Sequence, residues 1–368
     1  MKYKLLIVES PTKEKKIGKF LGKEYKVMAS KGHILDLPPN ALGVDIQNNF
    51  KTKIVPMKGK EDVIKSIQQA AKNATEIYLA PDPDREGESI AFHLKKIIKE
   101  KVPIKRVYFN EITEKAVKKG IDNATVLNTN MYHSQQARRI LDRLMGYQIS
   151  PLLWYKIAKG LSAGRVQSVV LRLVVEREDE IRNFIPTKTY QVNAFLDNKN
   201  EELIVNYFGE DIKKKNTLKD HHQAEKIIKN IKNKKFVLDN IEKKDKFSKT
   251  KPPFITSSLQ QEASSKLSLS LKKTMEIAQK LYEGKNIPSF GSVGLITYMR
   301  TDSVRINEDK IHEARNYIKE SFGENYLPNE FIEHGKTKKG EKIQDAHEAI
   351  RPTDIRLTPD VVKDSLTM

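Results

Sequence analysis

Apolar positions in the first hundred residues alternate between short continuous runs and helical spacing. The run at residues 5–8 predicts a strand, and Ser10 followed by Pro11 predicts a helix start directly after it. A second strand-like run at residues 76–80 leads into an acidic stretch and then into helical spacing over residues 89–99. Strands that alternate with helices in this way predict an α/β domain with a largely parallel sheet.

The pattern changes along the rest of the chain. Residues 130–182 have helical spacing that is interrupted at residues 160–164, whereas residues 189–247 contain alternating, strand-like runs. Residues 243–253 are typical of a linker, and helical spacing returns over residues 256–282. The predicted segments are an α/β domain with an insertion near residues 30–60 (1–147), a helical segment (148–188), a β-containing segment (189–255) and a segment around Tyr298 (256–368).

Composition favours a polyanionic partner. The 67 Lys and Arg residues outnumber the 48 Asp and Glu residues, and the resulting formal charge of +19 favours nucleic acid before a membrane. The chain has no Cys, which excludes a disulfide or a thiolate zinc site within it and makes an intracellular setting the simpler expectation. The apolar run near the N-terminus is too short for a signal peptide, and no later stretch is long enough to span a bilayer.

An acidic cluster follows the second predicted strand. Asp82, Asp84 and Glu86 occupy alternate positions of this stretch, which we interpret as an acidic loop at the carboxyl end of a sheet, where α/β folds bind ligands. Carboxylate oxygens are suitable ligands for Mg²⁺. A calcium-binding EF-hand loop does not fit, because its twelfth position would be His93 and a strand precedes the loop. The alternative is a solvated acidic turn that Arg85 neutralises.

Two further candidates follow the first predicted strand. Glu9 occupies the equivalent strand end, and Lys13 lies in the first turn of the next helix, where backbone N–H groups and the helix dipole favour a phosphate. We therefore expect an acid and a lysine in one pocket. The alternative is that Glu9 only caps the strand and that Lys13 is a solvated helix residue.

The segment around Tyr298 predicts a covalent phosphotyrosine site. If residues 295–299 are extended, Tyr298, Arg300 and Asp302 lie on one face, with a cation beside the phenol. A phenol has a pKa near ~10 and is a weak nucleophile at neutral pH, so an adjacent guanidinium that holds the phosphate suits the chemistry. The alternative is a core strand with an ordinary Tyr and Arg at its edge.

Together these motifs resemble the type IA DNA topoisomerases of the bacterial topoisomerase I class. The segments that carry the resemblance, in chain order, are residues 7–13 (IVESPTK), 82–88 (DPDREGE), 135–143 (QQARRILDR), 161–168 (LSAGRVQS), 292–303 around Tyr298, and 345–352 (DAHEAIRP).

The resemblance implies a multidomain α/β and α architecture. The N-terminal segment would be a Toprim domain, with a Rossmann-like parallel sheet that holds Mg²⁺. Residues 148–188 would form the base of a DNA groove, residues 189–255 an arch or hinge, and residues 256–368 the active-site tyrosine domain. Because the chain stops at Met368, where family members continue, we expect a truncated chain with an incomplete toroid that relaxes supercoils poorly or not at all.

The resemblance also implies an activity and roles for individual residues. The activity is ATP-independent, Mg²⁺-dependent relaxation of negatively supercoiled DNA through single-strand cleavage, strand passage and religation. Tyr298 would attack a phosphodiester and become linked to the 5′-phosphate. The other implied site residues are Arg300 and Lys13 on the phosphate, Glu9 as proton donor or metal ligand, Asp82, Asp84 and Glu86 as metal ligands, and His347 in the phosphate network.

The implied DNA-contacting residues are Arg138, Arg139, Asp142, Tyr147, Arg165 and Gln167. We expect His347 and Arg351 to share one face of a helix that Pro352 ends. The partner would be a single-stranded segment of DNA and not a membrane, and the protein would be a cytoplasmic, nucleoid-associated monomer.

Three alternatives remain open. A topoisomerase III-like decatenase would share the acids and the tyrosine, although Met299 stands where that class usually has Pro. A Toprim nuclease or primase would need the acids but not Tyr298. A basic single-strand-binding protein would use the acids only structurally, so its binding would respond to salt but not to Mg²⁺.

Overall fold

The chain folds into two compact units. One contains Met1–Arg165 together with Thr250–Met368, and the other contains Val166–Lys249. The computed structural model describes residues 2–198, 201–209, 217–246, 248, 250–288, 290–328 and 348–366. Within these ranges, no helix is both long enough and apolar enough to cross a membrane. The boundaries of the four segments given above remain a prediction.

The elements alternate as an α/β chain first and become mainly helical later. The strands are β1 (Tyr3–Val8), β2 (Tyr25–Ala29), β3 (Leu35–Asp36), β4 (Val44–Asp45), β5 (Lys51–Thr52), β6 (Val55–Pro56), β7 (Ala74–Ala80), β8 (Ile104–Arg106), β9 (Asn193–Asn198), β10 (Glu201–Asn206), β11 (Lys285–Ile287) and β12 (Gly291–Val293). The α-helices are α1 (Pro11–Leu21), α2 (Glu61–Ala71), α3 (Arg85–Ile97), α4 (Glu114–Asp122), α5 (Thr129–Leu144), α6 (Ser150–Lys156), α7 (Arg165–Arg182), α8 (His221–Ile231), α9 (Thr256–Leu267), α10 (Leu271–Glu283), α11 (Glu308–Phe322) and α12 (Pro359–Val362).

A parallel sheet in the order β2-β1-β7-β8 forms the centre of the first unit. Because side chains alternate along a strand, Leu6 and Val8 of β1 belong to one core cluster with α1 and α4, whereas Leu5 and Ile7 belong to the other with α2 and α3. Fully burying side chains of this size contributes roughly 1.5–3 kcal/mol each. The predicted parallel α/β architecture is confirmed.

Local signals set the first helix. Ser10 caps α1 by accepting a hydrogen bond from the Lys13 N–H at 3.3 Å, Pro11 is its first residue, and Gly22 ends it at φ 70°. The helix therefore starts where the sequence predicts it.

The helix after the acidic stretch begins earlier than the predicted residue 89. Asp84 caps α3 by accepting from the Gly87 N–H at 2.8 Å, so that Glu86 already lies in the first helical turn. A Cβ at Gly87 would lie 2.0 Å from the carbonyl oxygen of Asp82, so only glycine fits this close turn. The expectation of an acidic loop over residues 82–88 is therefore wrong from residue 85 onward.

The insertion near residues 30–60 consists of two short antiparallel pairs, β3 with β6 and β4 with β5. Farther along, α5 runs through a π-helical turn at Met145–Ile149 into α6, and irregular backbone follows before α7. The predicted helical region and its interruption at residues 160–164 are confirmed.

The second unit contains β9, β10 and α8, together with all of α7 beyond its first residue. β9 and β10 form an antiparallel pair, as the alternating pattern predicts, and a small core contains Val192, Leu218 and Ala224. None of the described side chains of α7 is buried.

The tyrosine region departs from the expectations in two places. Residues 295–299 do not form a regular strand: β12 ends at Val293, and within this segment only Ile296 makes a bridge, to Pro352. Residues 348–351 are not helical, since Ile350 pairs with Phe254 in an extended bridge. These long-range pairings override the local spacing that predicted a helix before Pro352. His347 itself lies outside the described residues.

Candidate active site

Two acids meet at the carboxyl edge of the sheet. β1 and β7 are parallel neighbours with Val8 opposite Ala80, so the residues that follow them leave the sheet side by side. The backbone N–H of Asp82 donates to Glu9 Oε2 at 3.4 Å. The expected proximity of the two strand ends is therefore present in the structure.

Lys13 is a buried cation beside these acids. Only 2% of its surface is exposed, and its ammonium forms an ion pair with Asp82 Oδ1. The Nζ atom also lies 4.8 Å from the centre of the Tyr282 ring, within cation–π range. Of the two alternatives for Lys13, the structure excludes the solvated helix residue.

Tyr298 and Arg300 reach the same carboxylate. The Tyr298 hydroxyl donates to Asp84 Oδ2 at 2.7 Å, and Arg300 Nη1 donates to the same oxygen at 3.0 Å. Tyr298 is only 3% exposed, and its backbone N–H donates to the Asn110 carbonyl at 2.9 Å. Although the expected strand is missing, the two side chains do lie together, whereas Asp302 is exposed.

The surroundings raise the pKa of two of these groups. Burial, followed by the charges of Asp84 and Asp82, raises the pKa of Tyr298 far above its usual value. Burial and the neighbouring Asp82 also raise the pKa of Glu9, which Lys13 partly offsets. The arrangement therefore contains a neutral phenol and a carboxyl group that holds its proton more tightly than an ordinary Glu.

Glu86 faces a different set of partners. Its Oε2 lies 3.2 Å from His33 Nε2 and accepts from Gln135 Nε2 at 3.1 Å. These hydrogen bonds, His33 first, lower the pKa of Glu86. The three acids at alternate sequence positions thus diverge, because Glu86 follows the rotation of the helix.

The acids suit a hard cation in chemistry but not in their present arrangement. All of them offer carboxylate oxygens, as Mg²⁺ prefers. Yet Asp82 is paired with Lys13 and Asp84 with Arg300, and in the described part of the chain no three His, Asp or Glu side chains converge as metal ligands. The residues present therefore do not form a metal site in this geometry.

The implied DNA-contacting residues lie mainly around one cavity of about 360 Å³. Arg139, Asp142 and Tyr147 line it, and Arg165 joins them because its Nε donates to Asp142 Oδ1 at 3.1 Å. Arg138 lines a different cavity, of about 280 Å³. Gln167 belongs to the second unit, within α7.

Arg106 is a buried residue that sequence patterns did not single out. Its guanidinium is fully buried, donates to Glu88 Oε2 at 2.9 Å, and donates to the carbonyls of Pro81 at 2.9 Å and Asp82 at 2.8 Å. Arg106 therefore fixes the backbone of the acidic segment through these two carbonyls. An Arg beside a Lys in a three-residue strand carries no sequence signal for this role.

Tyr282 was missed as well. Its ring packs against Tyr298 with ring centres 5.2 Å apart, and its hydroxyl donates to the Phe109 carbonyl at 2.7 Å. With Lys13 over the same ring, Tyr282 contacts two of the predicted site residues. Helical spacing alone marks it only as a core position of α10.

Comparisons with known proteins identify the family of the chain. A Toprim-domain family model matches residues 4–112, and a DNA topoisomerase family model matches residues 126–367. The crystal structure of full-length topoisomerase I from Thermotoga maritima is similar over 99% of this chain, with 39% identity and a TM-score of 0.79. The chain spans 57% of the length of that protein. The Toprim domain is a metal-binding fold, and the chain as a whole belongs to the bacterial type IA DNA topoisomerase family.

Proposed function

We propose that the chain carries the cleavage and religation centre of a type IA DNA topoisomerase that relaxes negatively supercoiled DNA without ATP. The observation that carries the proposal is the shared contact of Tyr298 and Arg300 with Asp84, at the sheet edge where Lys13 is buried. This edge of the sheet holds a phenol, two cations and several acids. An enzyme that attacks a phosphodiester with its own side chain requires groups of these kinds.

The cleavage step follows from these groups. Tyr298 Oη forms a bond to phosphorus, and the bond from phosphorus to the 3′-oxygen breaks, so that the 5′-phosphate stays on the enzyme. Asp84 can accept the phenolic proton, because it already accepts a hydrogen bond from that hydroxyl at 2.7 Å. Glu9, with its raised pKa, supplies the proton to the leaving 3′-oxygen.

Charge stabilisation comes from the two cations. Arg300 is exposed beside Tyr298 and can hold the phosphate oxygens, and Lys13 is the buried cation on the neighbouring acid. Religation is the reverse reaction: the 3′-hydroxyl attacks the phosphotyrosine, and the phenol recovers its proton. The phosphotyrosine conserves the bond energy, so no nucleotide hydrolysis is needed.

The metal of the Toprim domain is proposed to be Mg²⁺, on the chemistry of its oxygen donors. Asp82, Asp84, Glu86 and Glu9 are the proposed ligands. Because Lys13, Arg300 and His33 now hold three of these acids, binding such an ion requires some of the acids to leave their present partners.

The proposed substrate is a single-stranded segment of DNA. The net charge of +19 supports a nucleic-acid partner, and the cavity around Arg139 and Tyr147 combines a guanidinium with an aromatic ring, as single-strand sites do. His347 remains a proposed member of the phosphate network, and Gln167 a proposed DNA contact. We further propose that the protein acts as a monomer in the cytoplasm, on the bacterial nucleoid.

Covalent trapping tests the proposal directly. The chain is mixed with a single-stranded oligonucleotide labelled on either side of the cut, quenched with denaturant, and the label is followed onto protein. We expect label from the 5′-phosphate side, loss of the adduct in Tyr298→Phe, and retention in Tyr326→Phe, which alters a tyrosine that is 72% exposed.

Trapping also separates the alternatives. A single-strand-binding protein gives salt-sensitive retention of the oligonucleotide but no denaturant-resistant label. A nuclease or primase of the Toprim class gives no dependence on Tyr298. Absence of an adduct both from this chain and from a longer one of full family length would sink the topoisomerase proposal.

A further inference from the structure

The buried side chain of Tyr282 contacts three separate parts of the candidate active site. The ammonium of Lys13 lies over its ring, 4.8 Å from the ring centre. The same ring packs edge-to-face against Tyr298, with ring centres 5.2 Å apart and planes at 67°. Its hydroxyl donates to the carbonyl of Phe109 at 2.7 Å, and the next residue, Asn110, accepts from the backbone N–H of Tyr298. Tyr282 therefore connects the buried cation, the nucleophile and the backbone that holds the nucleophile.

The end of helix α10 fixes where the Tyr282 ring lies. The ammonium of Lys16, one turn after Lys13 on α1, donates to the carbonyl of Glu283. A Cβ at Gly294 would lie 2.6 Å from the carbonyl oxygen of Tyr282, so the backbone of α10 lies directly against the segment that leads to the nucleophile. Because Tyr282 is also only 1% exposed, its ring has little freedom to move relative to that segment.

The Tyr282 ring and the carboxylate of Asp82 hold Lys13 in different ways. A phosphodiester at this edge competes with Asp82 for the ammonium, because both are anions. The ring is neutral, so it keeps its attraction for the ammonium while the ammonium turns from one anion to the other. Lys13 is 2% exposed, and a buried ammonium without a partner is costly, so a second partner keeps the cation in place during this exchange.

We infer that Tyr282 is a positioning residue of the cleavage centre, an inference that rests on the proposed function. Its aromatic ring holds the ammonium of Lys13 and the ring of Tyr298 at a fixed separation, so that the cation and the nucleophile reach the same phosphodiester. The Tyr282 hydroxyl, which is paired with the Phe109 carbonyl, only orients this ring. A small displacement of reacting groups slows a reaction markedly, so the loss of the ring lowers the rate of cleavage.

Tyr78 shows what a purely structural tyrosine of the same core has. It belongs to the same core cluster as Tyr282 and is 5% exposed. Its hydroxyl donates to Glu76 at 2.7 Å, and the ammonium of Lys105 lies 5.7 Å from its ring centre. These are the same kinds of contact as those of Tyr282, but neither partner belongs to the candidate active site. Tyr78→Leu is therefore a matched control for Tyr282→Leu.

Single-turnover formation of the covalent adduct tests the inference. The rate is measured against the concentration of a single-stranded oligonucleotide, which separates binding from the chemical step. Tyr282→Phe keeps the ring and Tyr282→Leu removes it. A third variant carries 3,4,5-trifluorophenylalanine at position 282, which keeps the shape of the ring but removes the negative charge of its face. Urea unfolding of Tyr282→Leu, Lys13→Met and the double variant reports whether the two side chains are coupled in the folded protein.

We expect the leucine and trifluorophenylalanine variants to lose on the order of tenfold in the maximal rate of adduct formation, at an unchanged half-saturating concentration of oligonucleotide. Tyr282→Phe should recover the rate to within about threefold of the parent, because the ring and its charge distribution remain. Tyr78→Leu lowers stability but leaves the rate unchanged. The stability losses of Tyr282→Leu and Lys13→Met should not add, because the two side chains are in contact.

Equal maximal rates for the phenylalanine and trifluorophenylalanine variants overturn the inference, because only the charge distribution of the ring differs between them. Equal rate losses for Tyr282→Leu and Tyr78→Leu overturn it as well. If the stability losses are coupled but the rates of adduct formation are unchanged, the contact with Lys13 is only structural, and the proposed function stands without this inference. If neither the parent nor a chain of full family length forms an adduct, the proposed function fails and the inference fails with it.

Discussion

Replacing Arg106 should destabilise the protein far more than replacing its neighbour on the same strand. Arg106 and Glu88 form a fully buried ion pair, whereas Lys105 pairs with Glu76 at 44% and 28% exposure of the two side chains. Removing one partner of a buried pair costs about 3–5 kcal/mol, because a charge stays buried without compensation. An exposed pair contributes about 0–1 kcal/mol. We therefore expect Arg106→Met to lower the free energy of unfolding by at least about 3 kcal/mol, and Lys105→Met by less than about 1 kcal/mol.

The other hydrogen bonds of Glu88 affect how much stability Arg106→Met should lose. It also accepts from the Tyr108 hydroxyl at 2.9 Å and from the Asn128 N–H at 2.6 Å, so the carboxylate keeps two donors when Arg106 is removed. The carbonyls of Pro81 and Asp82 lose theirs, at about 1–3 kcal/mol for each group left unsatisfied. The expected total loss of unfolding free energy for Arg106→Met therefore stays near the upper part of the range of about 3–5 kcal/mol for a broken buried pair.

Urea unfolding followed by circular dichroism measures both variants against the parent. Adding Glu88→Gln to Arg106→Met removes the uncompensated charge, so we expect the double variant to be more stable than the sum of the two single changes. Equal losses for Arg106→Met and Lys105→Met, or strict additivity with Glu88→Gln, would refute this reasoning.

Three further changes give sharp expectations. Tyr282→Phe removes a buried hydrogen bond and should lower stability by about 1–2 kcal/mol while the ring still supports the Tyr298 adduct, as thermal unfolding and trapping will show. The pKa of Glu9 in the folded protein is raised above its usual 4.5, so ionisation of Glu9 lowers the stability of the protein above that pH. Glu9→Gln should therefore be more stable than the parent at pH 8, and the difference should vanish below pH 4.5. Urea unfolding midpoints measured at pH 8 and below pH 4.5 test this. Gly284→Ala should cost clearly more than Gly59→Ala in melting temperature, since both have positive φ (88° and 80°) but only the first would place a Cβ 2.1 Å from a carbonyl oxygen; equal losses contradict this.

Local sequence signals were sufficient to predict structure where a residue acts on its neighbours in the chain. Ser10, Pro11 and Gly22 define α1 by a side-chain cap, a fixed φ and a left-handed end, all of which depend only on residue type and position. The parallel sheet follows equally well, because buried parallel strands are continuous apolar runs. These features place Glu9, Lys13 and Asp82 at one edge of the sheet.

Spacing failed where a distant partner decides the conformation. Asp82, Asp84 and Glu86 would share a face only in an extended chain, but the cap of Asp84 on Gly87 starts a helix, in which successive residues rotate by about 100°. Likewise, the four-residue spacing before Arg351 suits a helix, yet Ile350 pairs with Phe254, almost a hundred residues away in the chain. The sequence near residue 350 does not indicate that Phe254 is its partner.

The charges of the site explain why Glu9 differs from the other acids. Lys13 and Arg300 are two cations, and each already holds one acid, Asp82 or Asp84. Glu9 is the third acid at this edge, and among the described residues its carboxylate accepts a weak hydrogen bond from the Asp82 backbone. Burial and the repulsion of Asp82 raise its pKa, which Lys13 partly offsets. A phosphodiester that binds here brings another negative charge, which raises the pKa of Glu9 further. Burial and the charge of Asp82, which raise the pKa of Glu9, therefore suit it to protonate a leaving oxygen.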